Sequence, residues 1–420
     1  MANKKGIIIV LATTIIAVGI LLLVFNKDKG SQNNISGNNK AKAGTNITLN
    51  MSGTTNSTTE PNTTKSNNDT DNQSANRIKT PVKVKAVYLS GDSAGSNAVL
   101  DRIIELSKTT ELNAVVIDVK EAGLVNYDTG IPEVRSIKAF EKKYNPEEVI
   151  KKLHNNNIYV IGRIVCFRDT TLAEKRPDLA VKKVNGQIWR EGKMAWTNAY
   201  LDEVQQYNIN IAKEAADKGF DEIQFDYVRF PTTRKGEVNY GNVPPRADAI
   251  SSFLEKASKE IHNKNIPVSA DVFAIICESP TDGEAIGQVL EKIGENIDYI
   301  SPMVYPSHYA NAAKKGNMAN GVGQSVNGVF FKAPDLEPYK VVYNTLLKTE
   351  DRMSKDPLCK AKIRPYLQAF SATFLPSGYW QKYGPEQVKD QMKAVDDTSS
   401  SGWILWDPRN SYKQDYFVQK

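Results

Sequence analysis

The chain has 420 residues, with 54 Lys and Arg against 48 Asp and Glu, which gives a formal net charge of +6. The basic residues are spread along the chain and have acidic neighbours, as Lys142 and Lys143 have Glu141, which argues against nucleic acid as the main partner. The three cysteines are widely spaced and form neither a disulfide framework nor a CxxC motif, so we expect buried free thiols.

The first predicted element is the apolar run at residues 6–25, GIIIVLATTIIAVGILLLVF. It is uncharged and long enough to cross a bilayer as one helix. A cleaved signal peptide has a shorter apolar region followed by a small-residue cleavage site, which this run lacks. We therefore expect residues 1–29 to form an uncleaved, single-pass transmembrane anchor. Few residues precede the run and a large region follows it, which favours a cell-membrane protein with an extracytoplasmic C-terminal domain.

Residues 30–80 consist mainly of Asn, Ser, Thr, Gly and Lys. A segment of this composition buries too little apolar surface to offset the entropy lost on ordering. We therefore predict a disordered linker between the anchor and a folded domain at 81–420.

The rest of the chain alternates strand-like runs with amphipathic helices. The predicted strands span residues 84–90, 114–119, 159–166, 222–230, 268–276, 299–305, 363–370 and 403–407. The predicted helices span residues 98–107, 146–155, 201–218, 247–263, 286–293, 339–353 and 385–395. Such alternation indicates a parallel sheet, and eight units fit a (β/α)8 TIM barrel. A doubly wound open sheet is the alternative, but the loop SGDSAG at 90–95 lacks the glycine spacing of a dinucleotide site.

Polar residues at the C-terminal ends of the strands are the candidates for function, because TIM-barrel active sites form there. The stretch EIQFDYVRFP at 222–231 shows the pattern most clearly, since a strand of β-branched and aromatic residues ends with two charges. The carboxylates at predicted strand ends are Asp118, Glu121, Asp226, Asp271 and Asp407. The other candidate binding residues are Lys120, Arg163, Arg229, Tyr305, His308, Gln368 and Trp406.

Several carboxylates around one barrel mouth, with aromatic side chains between them, are typical of a sugar-cleaving site. One carboxyl group protonates the leaving oxygen, and another acts as nucleophile or activates water. We expect Arg163 or Arg229 to keep one carboxylate ionised by lowering its pKa. Each residue alone also has a structural interpretation: Asp118 as a hydrogen-bond acceptor, Asp407 as the cap of a turn.

The three histidines have no metal-ligand spacing, so we expect neither a metal site nor a cofactor. A zinc-dependent deacetylase is a further hypothesis for a cell-surface barrel, but the histidine cluster that such an enzyme uses to bind zinc is missing from the sequence.

Five motifs together resemble the bacterial family known as "putative glycosyl hydrolase domain". They are NAVVIDVKEAG at 113–123, EIQFDYVRFP at 222–231, SADVF at 269–273, ISPMVYPSHY at 300–309 and GWILWDPRNSY at 402–412. The resemblance covers residues 82–412 and implies a TIM-barrel, hydrolase-like fold. The family is similar in layout to the α-amylase clan, which by strand order implies Asp226 as nucleophile and Asp271 as acid/base. We take Glu121 as the reserve acid. The clan's third carboxylate lies on strand seven, where this chain has Gln368 and Ala369.

We therefore predict a membrane-anchored, extracytoplasmic glycoside hydrolase that cleaves a cell-surface or environmental polysaccharide or oligosaccharide with two carboxylates. The missing carboxylate of strand seven supports an alternative, a non-catalytic carbohydrate-binding or cell-envelope scaffold protein on the same barrel.

Overall fold

The computed structural model describes residues 77–420. The predicted membrane anchor and nearly all of the predicted linker lie outside these residues. In the part that is described, no helix is both long enough and apolar enough to cross a membrane. The first described residues lie against the N-terminal end of the sheet, where the backbone N–H of Ile78 donates to Asp221 at 2.9 Å and Thr80 contacts Tyr159.

Eight parallel strands close into a barrel, which confirms the predicted (β/α)8 fold. Each strand pairs with the next one along the chain, and the last returns to the first, with Val84 opposite Gly402. The strands are β1 (Val84–Leu89), β2 (Ala114–Glu121), β3 (Tyr159–Val165), β4 (Glu222–Asp226), β5 (Val268–Phe273), β6 (Tyr299–Val304), β7 in two segments (Lys362–Ile363 and Tyr366–Gln368) and β8 (Gly402–Trp406).

Helices connect consecutive strands and cover the outside of the barrel. They are α1 (Asn97–Thr109), α2 (Pro146–His154), α3 (Asp202–Asp217), α4 (Arg246–His262), α5 (Leu290–Gly294), α6 (Pro338–Met353) and α7 (Pro385–Asp396). Their ends follow local rules: the Asn145 side chain caps α2, and Pro146 occupies its first position, where no backbone donor is needed. The prediction of one helix at 286–293 was wrong, because Gly287 adopts a left-handed conformation (φ 81°) that ends a short helix before α5 begins.

Strand β4 ends at Asp226, four residues earlier than predicted. Tyr227 has a φ of 50°, in the left-handed region that costs an L-residue roughly 1–2 kcal/mol. The chain therefore leaves the sheet directly after the carboxylate, and the backbone N–H of Phe230 donates instead to the carbonyl of Ile286 at 2.8 Å. Arg229 consequently lies in a loop, and its direction is set by that loop rather than by strand alternation.

The interior of the barrel contains a column of polar pairs. Alternate residues of β4 face inward, while Phe225 between them packs against Phe253 of α4. At the N-terminal end Glu222 forms an ion pair with Arg364, and both side chains are completely buried. Glu222 also accepts a hydrogen bond from Ser269 at 2.6 Å. This end of the column is closed by hydrogen bonds within the protein.

The buried Glu222–Arg364 pair makes a prediction about stability. Replacing Glu222 by Gln should lower the free energy of unfolding by about 3–5 kcal/mol, because it leaves a buried guanidinium without its countercharge. Asp351→Asn is the control, since Asp351 forms only a surface pair with Lys355 and should unfold close to wild type. Urea denaturation of the three proteins measures the difference, and equal midpoints for Glu222→Gln and wild type would contradict the prediction.

Candidate active site

The C-terminal ends of the strands surround a cavity of about 290 Å³. Three kinds of side chain form most of its wall: acidic, guanidinium and aromatic. The acidic ones are Glu121, Asp226 and Asp271, the guanidinium groups belong to Arg163, Arg168, Arg229 and Arg409, and the aromatic ones include Tyr88, Tyr227, Phe273, Tyr305, Tyr366 and Trp406. The barrel mouth thus holds most of the predicted site residues together.

Arg163 of β3 connects three carboxylates on three different strands. Its Nη1 donates to Asp118, and its Nε and Nη2 both donate to Oδ2 of Asp226, with a distance of 3.1 Å from Nε. Nε also lies 3.7 Å from Oδ2 of Asp271. One positive charge cannot neutralise three ionised carboxylates, so the cluster favours the binding of protons.

Asp226 and Asp271 differ in how their oxygens are used. Asp226 accepts two N–H bonds from Arg163 and one from the backbone of Tyr227 at 2.5 Å, an arrangement suited to an ionised carboxylate. Burial and the charge of Asp226 raise the pKa of Asp271, and Arg163 opposes them. Oδ1 of Asp271 has no hydrogen-bond partner in the part of the chain that is described. Asp271 therefore offers the cavity a carboxyl group that binds its proton more tightly than an exposed one does.

Asp118 lies beneath the cavity rather than on its wall. Its Oδ2 accepts a hydrogen bond from the hydroxyl of Tyr88 at 2.5 Å, and its Oδ1 accepts one from Arg163. Burial raises the pKa of Asp118 to about 8, while Arg163 acts in the opposite direction. Tyr88 was missed as a site residue, although it stands near the end of β1, where the strand-end rule could have found it.

Glu121 reaches the cavity and Lys120 does not. The pairing of β2 with β3 shifts register between Asp118 and Lys120, so one extra residue is accommodated there. The Nζ of Lys120 is completely buried, 2.7 Å from Asp169 and 2.9 Å from Asn208 of α3. This placement corrects the expectation that Lys120 contacts a ligand. Glu121 is half-buried and borders the cavity.

Three further candidates lie outside the cavity wall. The Gln368 side chain accepts from Ser307 at 2.7 Å and donates to Asp335 at 3.0 Å, so its hydrogen bonds are used within the protein. Asp407 is buried and accepts from the backbone N–H of Arg409 at 3.0 Å, the turn-capping role that was the structural alternative. His308 stands behind Tyr305, with ring centroids 5.3 Å apart.

An aromatic wall faces the carboxylates. The rings of Tyr305 and Trp406 stack at a centroid distance of 5.6 Å and an interplanar angle of 27°. The ring of Tyr88 lies 6.3 Å from that of Trp406. Aromatic faces of this kind pack against the apolar faces of sugar rings. Among residues 77–420 the structure contains no group of three His, Cys, Asp or Glu side chains placed to bind a metal ion.

Residues 86–412 match the model of the family described as "Putative glycosyl hydrolase domain". The chain belongs to this family. The match confirms the resemblance of the five motifs, and it covers all of the barrel except the first two residues of β1, together with the cavity. A search of curated proteins finds no match.

Comparison with solved structures finds two proteins of note. The glycoside hydrolase domain of PgaB (BpsB) from Bordetella bronchiseptica is 12% identical, with 81% of this chain and 100% of that one covered and a TM-score of 0.56, which shows a shared fold. A hypothetical protein from Ruminiclostridium thermocellum ATCC 27405 is 44% identical over 44% of this chain and 97% of its own, with a TM-score of 0.42.

The raised pKa of Asp271 predicts how stability depends on pH. In the unfolded chain an Asp has a pKa of about 3.9, so the native carboxyl binds its proton more tightly. Its contribution to stability is complete below that pH and is lost as the pH rises through the native pKa. The Asp271→Asn variant has no carboxyl group at this position and does not lose stability in this way as the pH rises. The difference in Tm between the variant and wild type (variant minus wild type) should therefore increase from about pH 5 to pH 9.

Thermal unfolding followed by circular dichroism measures this difference. The control is Asp101→Asn, which removes an exposed carboxylate that pairs with Lys152 on the surface. A Tm difference for Asp271→Asn that is constant or falls with pH would show that the carboxyl is ionised in the native protein.

Proposed function

We propose that the protein is a glycoside hydrolase that cleaves a polysaccharide or oligosaccharide with Asp226 and Asp271 as its two catalytic carboxyl groups. The observation that carries this proposal is their shared contact with Arg163 on one cavity, where Asp226 is held by N–H donors and Asp271 has a free oxygen. Two carboxyl groups in different environments are what an acid and a nucleophile require. Membership in the family supports the same reaction class.

The spacing of the two groups favours a retaining reaction. Their Oδ2 atoms lie 3.1 Å and 3.7 Å from the same Nε of Arg163, so they are no more than about 7 Å apart. Retaining enzymes hold the carboxyl groups about 5–5.5 Å apart, and inverting enzymes about 6.5–9.5 Å. The upper bound includes the whole retaining range and excludes most of the inverting range.

The reaction then takes two steps. The Asp226 carboxylate attacks the anomeric carbon and forms a glycosyl ester, while Asp271 gives its proton to the departing glycosidic oxygen. In the second step the Asp271 carboxylate takes a proton from a water molecule, whose oxygen attacks the anomeric carbon and releases Asp226. Tyr305 and Trp406 support the sugar rings, and Glu121 is the remaining acid on the wall.

Substitution of the carboxyl groups tests these roles. Asp226→Asn and Asp271→Asn should each lower turnover about 10²–10⁴-fold or more, because each removes a group that acts in bond cleavage. The full-length protein is incubated with a panel of polysaccharides and oligosaccharides, and the release of reducing ends is measured by mass spectrometry. Asp101→Asn is the matched control, and thermal unfolding checks that the variants fold. Wild-type turnover in either variant rejects that residue's role, and loss of activity in Glu121→Gln alone would transfer the acid role to Glu121.

A non-catalytic carbohydrate-binding protein is the second candidate. It is favoured by β7, which contributes Tyr366 rather than a carboxylate to the cavity. That candidate predicts saturable binding of a glycan without the release of reducing ends, which the same panel measures.

We also propose that the protein is anchored in the cell membrane with its barrel outside the cytoplasm. The support is the apolar run at 6–25, which is long enough to span a bilayer. The full-length protein should stay with the membrane fraction after a high-salt wash, and protease added to intact cells should degrade the barrel. Deletion of residues 6–25 should release the protein from the membrane, whereas protection from protease in intact cells would contradict the orientation.

A further inference from the structure

Two arginines on the cavity wall, Arg168 and Arg229, form no ion pair with any residue of the described part of the chain. Among residues 77–420, the ion pairs of the cavity arginines are those of Arg163 and the 3.4 Å contact of Arg409 with Asp407. Arg168 and Arg229 line the same cavity, and their exposed fractions are only 7% and 2%. A buried charge is costly unless it is paired, so these two groups need an explanation.

Aromatic rings hold both guanidinium groups in place. The Arg168 group lies 3.7 Å from the ring centroid of Tyr227, and the Arg229 group lies 4.5 Å from Trp196 and 4.7 Å from Phe273. Stacking of this kind uses the faces of the guanidinium and leaves the N–H groups at its edges free. These contacts fix the position of the donors without satisfying them.

Few of these N–H donors are used within the protein. Nη1 of Arg229 donates to the carbonyl of Phe230 at 3.0 Å, and Nε of Arg168 is buried without a hydrogen-bond partner. Burial lowers the pKa of Arg229 and the charge of Arg168 adds to this effect, whereas Glu191, Tyr227 and Asp226 oppose it. The two positive charges therefore repel each other beside an open space, and an anion bound there would stabilise both.

We propose that the cavity binds a sugar unit that carries a carboxylate, and that Arg168 and Arg229 donate hydrogen bonds to this carboxylate. The inference rests on the proposed function and narrows its substrate to an acidic glycan, such as one built from uronic acids. A planar carboxylate matches the fork of a guanidinium, and charge-assisted bonds of this kind are about twice as strong as neutral ones. A neutral sugar would leave the buried donors unpaired, so the site selects against it.

Binding measurements test this inference without any need for catalysis. Calorimetry is done on the full-length Asp271→Asn protein in a neutral detergent. The substitution prevents turnover during the titration. The probes are hexasaccharides of galacturonic acid, glucuronic acid and hyaluronan, each compared with its carboxyl-reduced neutral counterpart. At least one acidic probe should bind on the order of 10-fold or more tightly than its neutral counterpart.

Adding Arg168→Gln or Arg229→Gln should weaken the binding of the acidic probe and abolish its advantage over the neutral counterpart. Arg135→Gln, which removes an exposed guanidinium paired with Asp128, is the matched control and should retain the preference. Thermal unfolding checks each variant. If a Gln variant fails to fold, the Lys variant at the same position is used. Lysine keeps the positive charge but lacks the planar pair of N–H donors, so this variant should retain only part of the preference for the acidic probe.

Several outcomes would overturn the inference. These are equal affinity for acidic and neutral probes, a preference that survives both Gln substitutions, and the absence of binding by every acidic probe. Tighter binding of a sulfated hexasaccharide than of the carboxylated ones would show that the two arginines bind a sulfate group and not a carboxylate. Binding of an acidic probe without release of reducing ends by the wild-type protein would reject the hydrolase and leave the inference standing. Hydrolysis of neutral glycans alone would support the hydrolase and reject the inference of an acidic substrate.

Discussion

The shared contact of one guanidinium with three carboxylates determines the chemistry of this barrel. Arg163 brings together side chains from β2, β4 and β5, none of which could be buried as an isolated charge. Because a single positive charge cannot balance all of them, the carboxyl groups compete for it, and this competition favours the binding of protons. Asp226 receives two N–H donors of Arg163 and Asp118 receives one, whereas Asp271 receives none within hydrogen-bond distance. The interaction that permits burial thus also creates the difference between the two groups.

Buried arginine–carboxylate contacts occur at both ends of the barrel interior, and the two ends differ in their access to solvent. Glu222 and Arg364 at the N-terminal end are sealed by neighbouring side chains and have no access to solvent. Asp226 and Arg163 at the C-terminal end border a cavity. TIM barrels place their variable loops at that end, so a polar pair there can meet a substrate, whereas its counterpart at the other end contributes to stability.

The strained turn after β4 brings Tyr227 and Arg229 to the cavity wall. The left-handed conformation of Tyr227 ends the strand and places its ring beside the guanidinium of Arg168. The same turn carries Arg229 to the cavity wall, where stacking on Trp196 holds it. Backbone strain next to an active site is maintained by the surrounding packing. Arg163 is occupied by the protein's own carboxylates, whereas the two stacked arginines keep their charge for a ligand.

The barrel and the presence of Asp226, Asp271 and Arg163 at one mouth could be predicted from the residues in chain order. Strand alternation follows from local residue patterns, and parallel strands bring their C-terminal ends to a common rim. Which polar residues remain free depends instead on tertiary contacts. A register shift directs the Lys120 side chain into the core, away from the cavity. The Gln368 side chain forms hydrogen bonds with Ser307 and Asp335, which lie more than thirty positions away in the sequence. Such pairings depend on where distant loops return, and no local pattern in the sequence encodes that.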